Sequence, residues 1–176
     1  MKIVRFFTLK ILLQPATLLS TINSNSMRPE RTAKVAADES LVSKKNNMEK
    51  RIINPWQWQD QRSYVQAVEV RQVESTLYCA GQAAVEADGT SSTGNMKTQL
   101  QLAIQNLEQV ITEAGYECKN IVRLNILTTS STELFTCFDL LQEWVARHGI
   151  QQASTVCEVT GLFETLKVEL EATAVR

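Results

Sequence analysis

The chain has 176 residues, 44% apolar and 21% charged, which is enough for one soluble domain with a real core plus a tail. The net charge of −1 conceals a split: residues 1–47 hold eight Lys/Arg against three Asp/Glu, and residues 48–176 ten against sixteen, so the compact part repels a phosphate backbone. Four cysteines without a CxxC pair, a single histidine, and the lack of a Gly-rich phosphate loop or a Ser-His-Asp set argue against a zinc motif and the common catalytic constellations, and no metal or cofactor is expected.

Residues 1–47 open on "MKIVRFFTLKILLQPATLLS", basic, apolar and free of acid before Glu30. Arg5, Lys10 and Pro15 interrupt the apolar run, which is too short to span a membrane. An unstructured extension is expected, with an organelle-targeting or secretory peptide as the alternative. Met48 begins "MEKRIINPW", an alternative start for a cytoplasmic protein. Trp56 and Trp58 in "NPWQWQD" suit the cover of a sheet edge, or the rim of a cleft.

Two strands are expected next, Tyr64–Val70 and Thr76–Val85, the second apolar on both faces with Gly81 and Gln82 in its middle. In "TGNMKTQLQLAIQNLEQVITEAGYE", Met96, Leu100, Ala103, Ile104, Leu107, Val110, Ile111 and Ala114 form one helical stripe. Asn95 fits its N-cap and Gly115 its C′ position. The strand "NIVRLNILTT" follows. A second helix is expected from Ser130, with Glu133 at capping-box spacing, to Gly149, burying Leu134, Phe135, Phe138, Leu141, Trp144 and Val145. His148 sits at its end, where the helix dipole favours imidazolium. The strands "STVCEV" and "KVELEATAV" close the chain, the last alternating Val168, Leu170, Ala172 and Ala174 against Lys167, Glu169, Glu171 and Thr173. Cys79 and Cys157, within apolar strands, fit small hydrophobes, with a disulfide or reactive thiol as the alternative.

The order β-β-α-β-α-β-β predicts an α+β two-layer domain with both helices on one face of a mixed sheet. Two helices cannot cover both faces of Leu77–Val85. A second copy of the chain is the simplest cover for the other face, so a homo-oligomer is expected. A glycine in such a strand marks a close approach by backbone or ligand.

From about Ile52 onward, "YVQAVEV", "YCAGQAAVEADG", "QLQLAIQNLEQVITEAGYECKNIVRLNILTT", "VCEV" and "KVELEATAV" occur in order and resemble the Rid (YjgF) family. The resemblance implies a chorismate-mutase-like fold for residues 48–176 and a homotrimer with a central barrel. It also implies small-molecule clefts between subunits and no membrane partner. Family deaminases hydrolyse reactive 2-imino and 2-enamino acids to 2-keto acids and ammonia without a cofactor. By resemblance, Tyr64 borders the cleft, the Gly81 backbone lies against the ligand with Gln82 beside it, and Glu169 holds the attacking water. A departure falls at Ser154, where the deaminases carry an arginine for the substrate carboxylate. A serine offers a hydroxyl without charge, so specificity is expected to be altered, with Ser154 and Thr155 hydrogen-bonding the substrate. Arg123 offers a substitute cation, or a surface ion pair. A non-catalytic metabolite- or protein-binding trimer is the alternative function, and endoribonuclease activity the weakest.

Overall fold

The computed structural model describes residues 48–176; the expected extension at residues 1–47 lies outside them. Strand β1 (Glu49–Ile53) pairs antiparallel with β2 (Ala67–Arg71) in a two-stranded sheet. The remaining strands form a mixed five-stranded sheet: β3 (Thr76–Tyr78), β4 (Gln82–Ala83), β5 (Ile121–Thr128), β6 (Ala153–Glu158) and β7 (Val168–Val175). Strand β7 runs antiparallel to β5 on one side and to β3 and β4 on the other, and β6 lies parallel to β5. This is the expected mixed α+β arrangement, with a first strand that the polar segment Glu49–Ile53 did not announce.

Helix α1 (Met96–Glu113) forms where the stripe predicts it. Asn95 caps it by accepting from the Thr98 N–H, and Gly115, at φ +75°, turns the chain away. Met96, Leu100, Ala103, Ile104, Leu107 and Ile111 are buried against β5 and β7, whose Leu124, Ile126, Val168 and Leu170 complete the core. Burying each Leu or Ile side chain of this kind stabilises the fold by about 1.5–3 kcal/mol. Ala114 is exposed and Val110 is half-buried, because the helix leaves the sheet at its end.

The second helix is two pieces, α2 (Ser131–Phe135) and α3 (Asp139–His148). Ser130 Oγ accepts from the Glu133 N–H, as half of the expected capping box, but the Glu133 carboxylate pairs with Lys167. The Thr136 hydroxyl donates to the Glu133 carbonyl, and the Cys137 thiol lies against the Glu133 and Leu134 carbonyls. Side chains that bond the preceding turn compete with the helical ladder and interrupt it there. Leu134, Leu141, Trp144 and Val145 are buried as expected, whereas Phe135 is 59% exposed.

The expected strand Thr76–Val85 is split by a bulge. Tyr78 pairs with Thr173 and Gln82 with Leu170, so three residues of one strand face two of the other. The extra residue shifts the side-chain alternation. Leu77 and Cys79 pack on the main core, while Ala83 and Ala84 turn into a smaller cluster with Leu166. The double apolar face is therefore two inward faces in succession. The side of the sheet away from the helices is consequently not a continuous apolar surface. It carries Arg123, Asn125, Thr155, Glu169, Glu171 and Thr173 around Leu127, Cys157 and the exposed Tyr78.

One buried polar side chain ties the loops to α1. Gln99 is fully buried; its Nε2 lies 3.1 Å from the carbonyls of Ser92, Gly94 and Thr165, and its Oε1 accepts from the Lys167 N–H at 2.8 Å. Every polar atom of the amide is engaged, as burial requires.

Candidate functional site

The bulge places Gly81 beneath Glu169. A Cβ on Gly81 would overlap the Glu169 carboxylate and its Cγ, so only glycine leaves that space to the carboxylate. The alternation of β7 turns Glu169 outward while Val168 and Leu170 are fully buried. Gly81, Gln82 and Glu169 line a cleft of about 450 Å³ with Phe163, Asn106 and Gln109. The Asn106 amide donates to the carbonyls of Ala83 and Val85, both at 2.9 Å, and fastens this edge to α1. Gln82 Nε2 donates to the Ala80 carbonyl. Glu169 thus stands at an open cleft over bare main chain.

Tyr64 and Ser154 line a different cleft, of about 570 Å³, between α2, α3 and the sheet. Tyr64 precedes β2 instead of lying within a strand, and its neighbour Val65 bridges to Ala153. Ser154 pairs with the buried Leu124, so it faces the helices. Its hydroxyl contacts Gln152 Nε2, which also donates to the Ser63 carbonyl. Gln152 Oε1 and Gln66 Nε2 are buried without partners at the same cleft. Arg62 stands in its lining, its guanidinium over the Trp58 ring at 5.3 Å, and Trp58 stacks on Trp56. The interior is apolar, with Ile126, Phe138, Leu141 and Val156.

Thr155 is in neither cleft. It faces outward and accepts from Arg123 at 2.7 Å, and Arg123 also donates to Asn125. Arg123 is therefore engaged on the outer face and is not beside Ser154. The six expected residues fall into three places within one chain. Sequence reasoning missed Arg62, whose only signal is its position two residues before Tyr64, and Gln152 and Asn106, whose amides look unremarkable in a sequence.

The four cysteines are free thiols. Burial pushes the Cys118 thiol up to about 11, with the charge of Glu108 adding, and burial raises Cys79 and Cys137 as well. Cys79 packs on the core as expected, but Cys157 is exposed, because the β6 alternation turns it to the outer face. Among the described residues no helix is long and apolar enough to cross a membrane.

The family profile described as Endoribonuclease L-PSP matches residues 58–176. The 2-iminobutanoate/2-iminopropanoate deaminase of Mus musculus is 27% identical over 114 residues, 64% of this chain and 81% of that protein. Protein mmf2, mitochondrial, of Schizosaccharomyces pombe is 33% identical over 67 residues, 38% of this chain and 52% of that one. The crystal structure of YyfB, a protein of unknown function of the Rid family from Yersinia pestis, superposes with a TM-score of 0.64 at 28% identity, covering 72% of this chain and 98% of that one. A profile match over more than half of the chain, together with this likeness of fold, shows that the chain belongs to the Endoribonuclease L-PSP family, the Rid (YjgF) proteins.

Proposed function

We propose that the chain hydrolyses small reactive imines or enamines, in a cleft that neighbouring copies complete. The observation that carries this reading is the Glu169 carboxylate lying over the Gly81 main chain at an open cleft. The mouse relative, named as a 2-iminobutanoate/2-iminopropanoate deaminase, supports the substrate class. In the reaction, water adds to the carbon of a protonated C=N bond while Glu169 takes one of its protons. Glu169 returns that proton to the carbinolamine nitrogen, the C–N bond breaks, and the hydroxyl proton leaves with the nitrogen as ammonium, giving the ketone and restoring the carboxylate. An iminium carbon is already electrophilic, so holding the water and moving its proton is sufficient help.

The Tyr64–Ser154 cleft and the Gly81–Glu169 cleft are separate in one chain. In a homotrimer with the central barrel of the Rid pattern, one copy would lend the first and its neighbour the second. Arg62 is the cation we assign to the substrate carboxylate in place of the arginine that Ser154 replaces. The apolar lining of its cleft suits the carbon tail of an acid larger than a two-carbon imine.

The test is hydrolysis of 2-iminobutanoate generated in situ by an amino-acid oxidase, with ammonia or keto acid as the readout. Wild type is expected to accelerate loss of the imine and Glu169→Gln to abolish the acceleration. Equal rates in the two variants remove Glu169 from the chemistry. A second reading, a metabolite-binding trimer without catalysis, is favoured by one observation: the polar contact of Ser154 in its cleft is to the neutral Gln152. Ligand binding with no rate above buffer would select it. The acidic balance of residues 48–176 weighs against RNA as substrate. The basic, acid-poor start of the chain and the relative named as mitochondrial support import into an organelle over a cytoplasmic location, which imaging of a fluorescent fusion tests.

A further inference from the structure

Three residues far apart in sequence meet where the end of α3 crosses α1. Glu108 comes from α1, Cys118 from the single 3₁₀ turn Cys118–Asn120 before β5, and His148 from the last position of α3. One ligand atom from each, a carboxylate oxygen, the thiol sulfur and an imidazole nitrogen, lie within 4.8 Å of one another. The spacing of 10 and 30 residues hides this set from a motif search.

The local hydrogen bonding is incomplete in a specific way. His148 Nε2 is 3.4 Å from Glu108 Oε1 without forming a hydrogen bond to it, and the nitrogen is shielded from solvent with no hydrogen-bond partner. A buried polar nitrogen left in this state is costly. The other carboxylate oxygen, Oε2, accepts from Trp144 Nε1 at 3.2 Å, which orients the carboxylate and leaves Oε1 turned toward the histidine. Cys118 is 4% exposed, so its sulfur faces the cluster instead of solvent.

We propose that Glu108, Cys118 and His148 form a three-ligand site for a divalent cation of the zinc class. The donor set selects the ion: sulfur and imidazole favour zinc-like cations, whereas magnesium and calcium take oxygen alone. Bonds of about 2.0–2.3 Å place tetrahedral donors about 3.3–3.8 Å apart, so the widest pair closes by about 1 Å, within the reach of side-chain rotation. On binding, the thiol gives up its proton to solvent and His148 Nε2 gains the partner it lacks. Trp144 then supports the Glu108 ligand from behind, as outer-shell donors do. Glu108 also lines a groove between α1 and α3, with Ile104, Leu140 and Arg147. Arg147 is a nearby positive charge, which the two anionic ligands outweigh. The site ties α1, the turn into β5 and the end of α3 together, and it lies outside both clefts described above.

The test uses full-length protein stripped with chelator and carrying Cys157→Ala, which removes the exposed thiol. Cobalt(II) is titrated as the probe, followed by zinc. The expected result is one equivalent bound, with a sulfur-to-cobalt charge-transfer absorption that zinc displaces, and a melting temperature raised by zinc but not by magnesium. His148→Ala and Cys118→Ala are each expected to weaken binding by more than the roughly hundredfold upper range of an outer-shell change. Absence of the sulfur band overturns the proposal, and so does a band of equal strength in His148→Ala. Neither readout depends on hydrolytic activity, so failure here leaves the proposed function standing.

Discussion

The Glu169 carboxylate occupies the space that a side chain on Gly81 would fill. A methyl group at position 81 displaces the carboxylate first, because the end of a glutamate moves more easily than the β7 backbone. Gly81→Ala is therefore expected to lower imine hydrolysis at least about tenfold while costing about 1–3 kcal/mol of stability. With Glu169→Ala added, the alanine at 81 should cost less than it does alone, because the overlap is gone. Urea unfolding of the two singles and the double measures this coupling, and strict additivity would show that the two residues do not compete for the same space.

Arg62 and Ser154 line one cleft, and only Arg62 carries charge. Arg62→Ala is expected to raise KM for a 2-imino acid with little change in kcat, since it removes binding common to substrate and transition state. A charged hydrogen bond of this kind is worth about 1.5–3 kcal/mol, or roughly tenfold to a hundredfold in KM. Ser154→Arg is expected to shift preference toward smaller imino acids, because the longer side chain fills the apolar end of the cleft. Steady-state kinetics across imino acids of increasing length check both outcomes.

Leu127 sits on the outer sheet face between Glu169 and Cys157 in the strand register. If self-association covers this face, Leu127→Asp adds a second negative charge beside Glu169 and breaks the assembly while leaving the core intact. Sedimentation velocity is expected to give a trimer for wild type and a monomer for the variant. The exposed Cys157 supplies a second reading, since maleimide should label it slowly in the trimer and quickly in the variant. A wild-type protein that sediments as a monomer would remove the shared cleft.

Much of this architecture was legible in the sequence. The α1 stripe, both of its caps, the end of α3 at Gly149 and the outward turn of Glu169 all follow from periodicity and local capping chemistry. Three features were not. The break at Thr136–Phe138 comes from side chains bonding the preceding turn, which a hydrophobic pattern does not record. The bulge at Cys79–Gly81 is a register event between two distant strands, so the apolar run around it looked like one strand with two buried faces. Thr155 and Ser154, adjacent in sequence, face opposite sides of β6, and alternation on a short edge strand gave no sign of which side holds a ligand.

Glu158 accepts from the Ser131 hydroxyl at 2.6 Å and the Ser131 N–H at 2.8 Å, at the first residue of α2. The hydroxyl first and then the N–H hold its carboxyl below the ordinary value of 4.5. A lowered carboxyl contributes stability that is full above that ordinary value and is lost as pH falls through the folded value. Wild type is thus expected to exceed Glu158→Gln in stability at about pH 7 and to lose that lead as pH falls below the ordinary carboxyl value, through the lowered folded one. Paired denaturation curves across falling pH check it; a gap that stays constant would mean that the contact is not ionic.

The wholly engaged Gln99 amide has a kinetic corollary. The strap at 165–167 leading into Glu169 and the segment at 92–94 leading into α1 are moored to the same four atoms, O, N and two protons, of one side chain. Detaching either segment takes polar partners from the buried Gln99 amide, so deuterium should enter the Lys167 amide in step with fraying of the helix start. The edge of the Gly81–Glu169 cleft is thereby coupled to the far end of the helix that floors it.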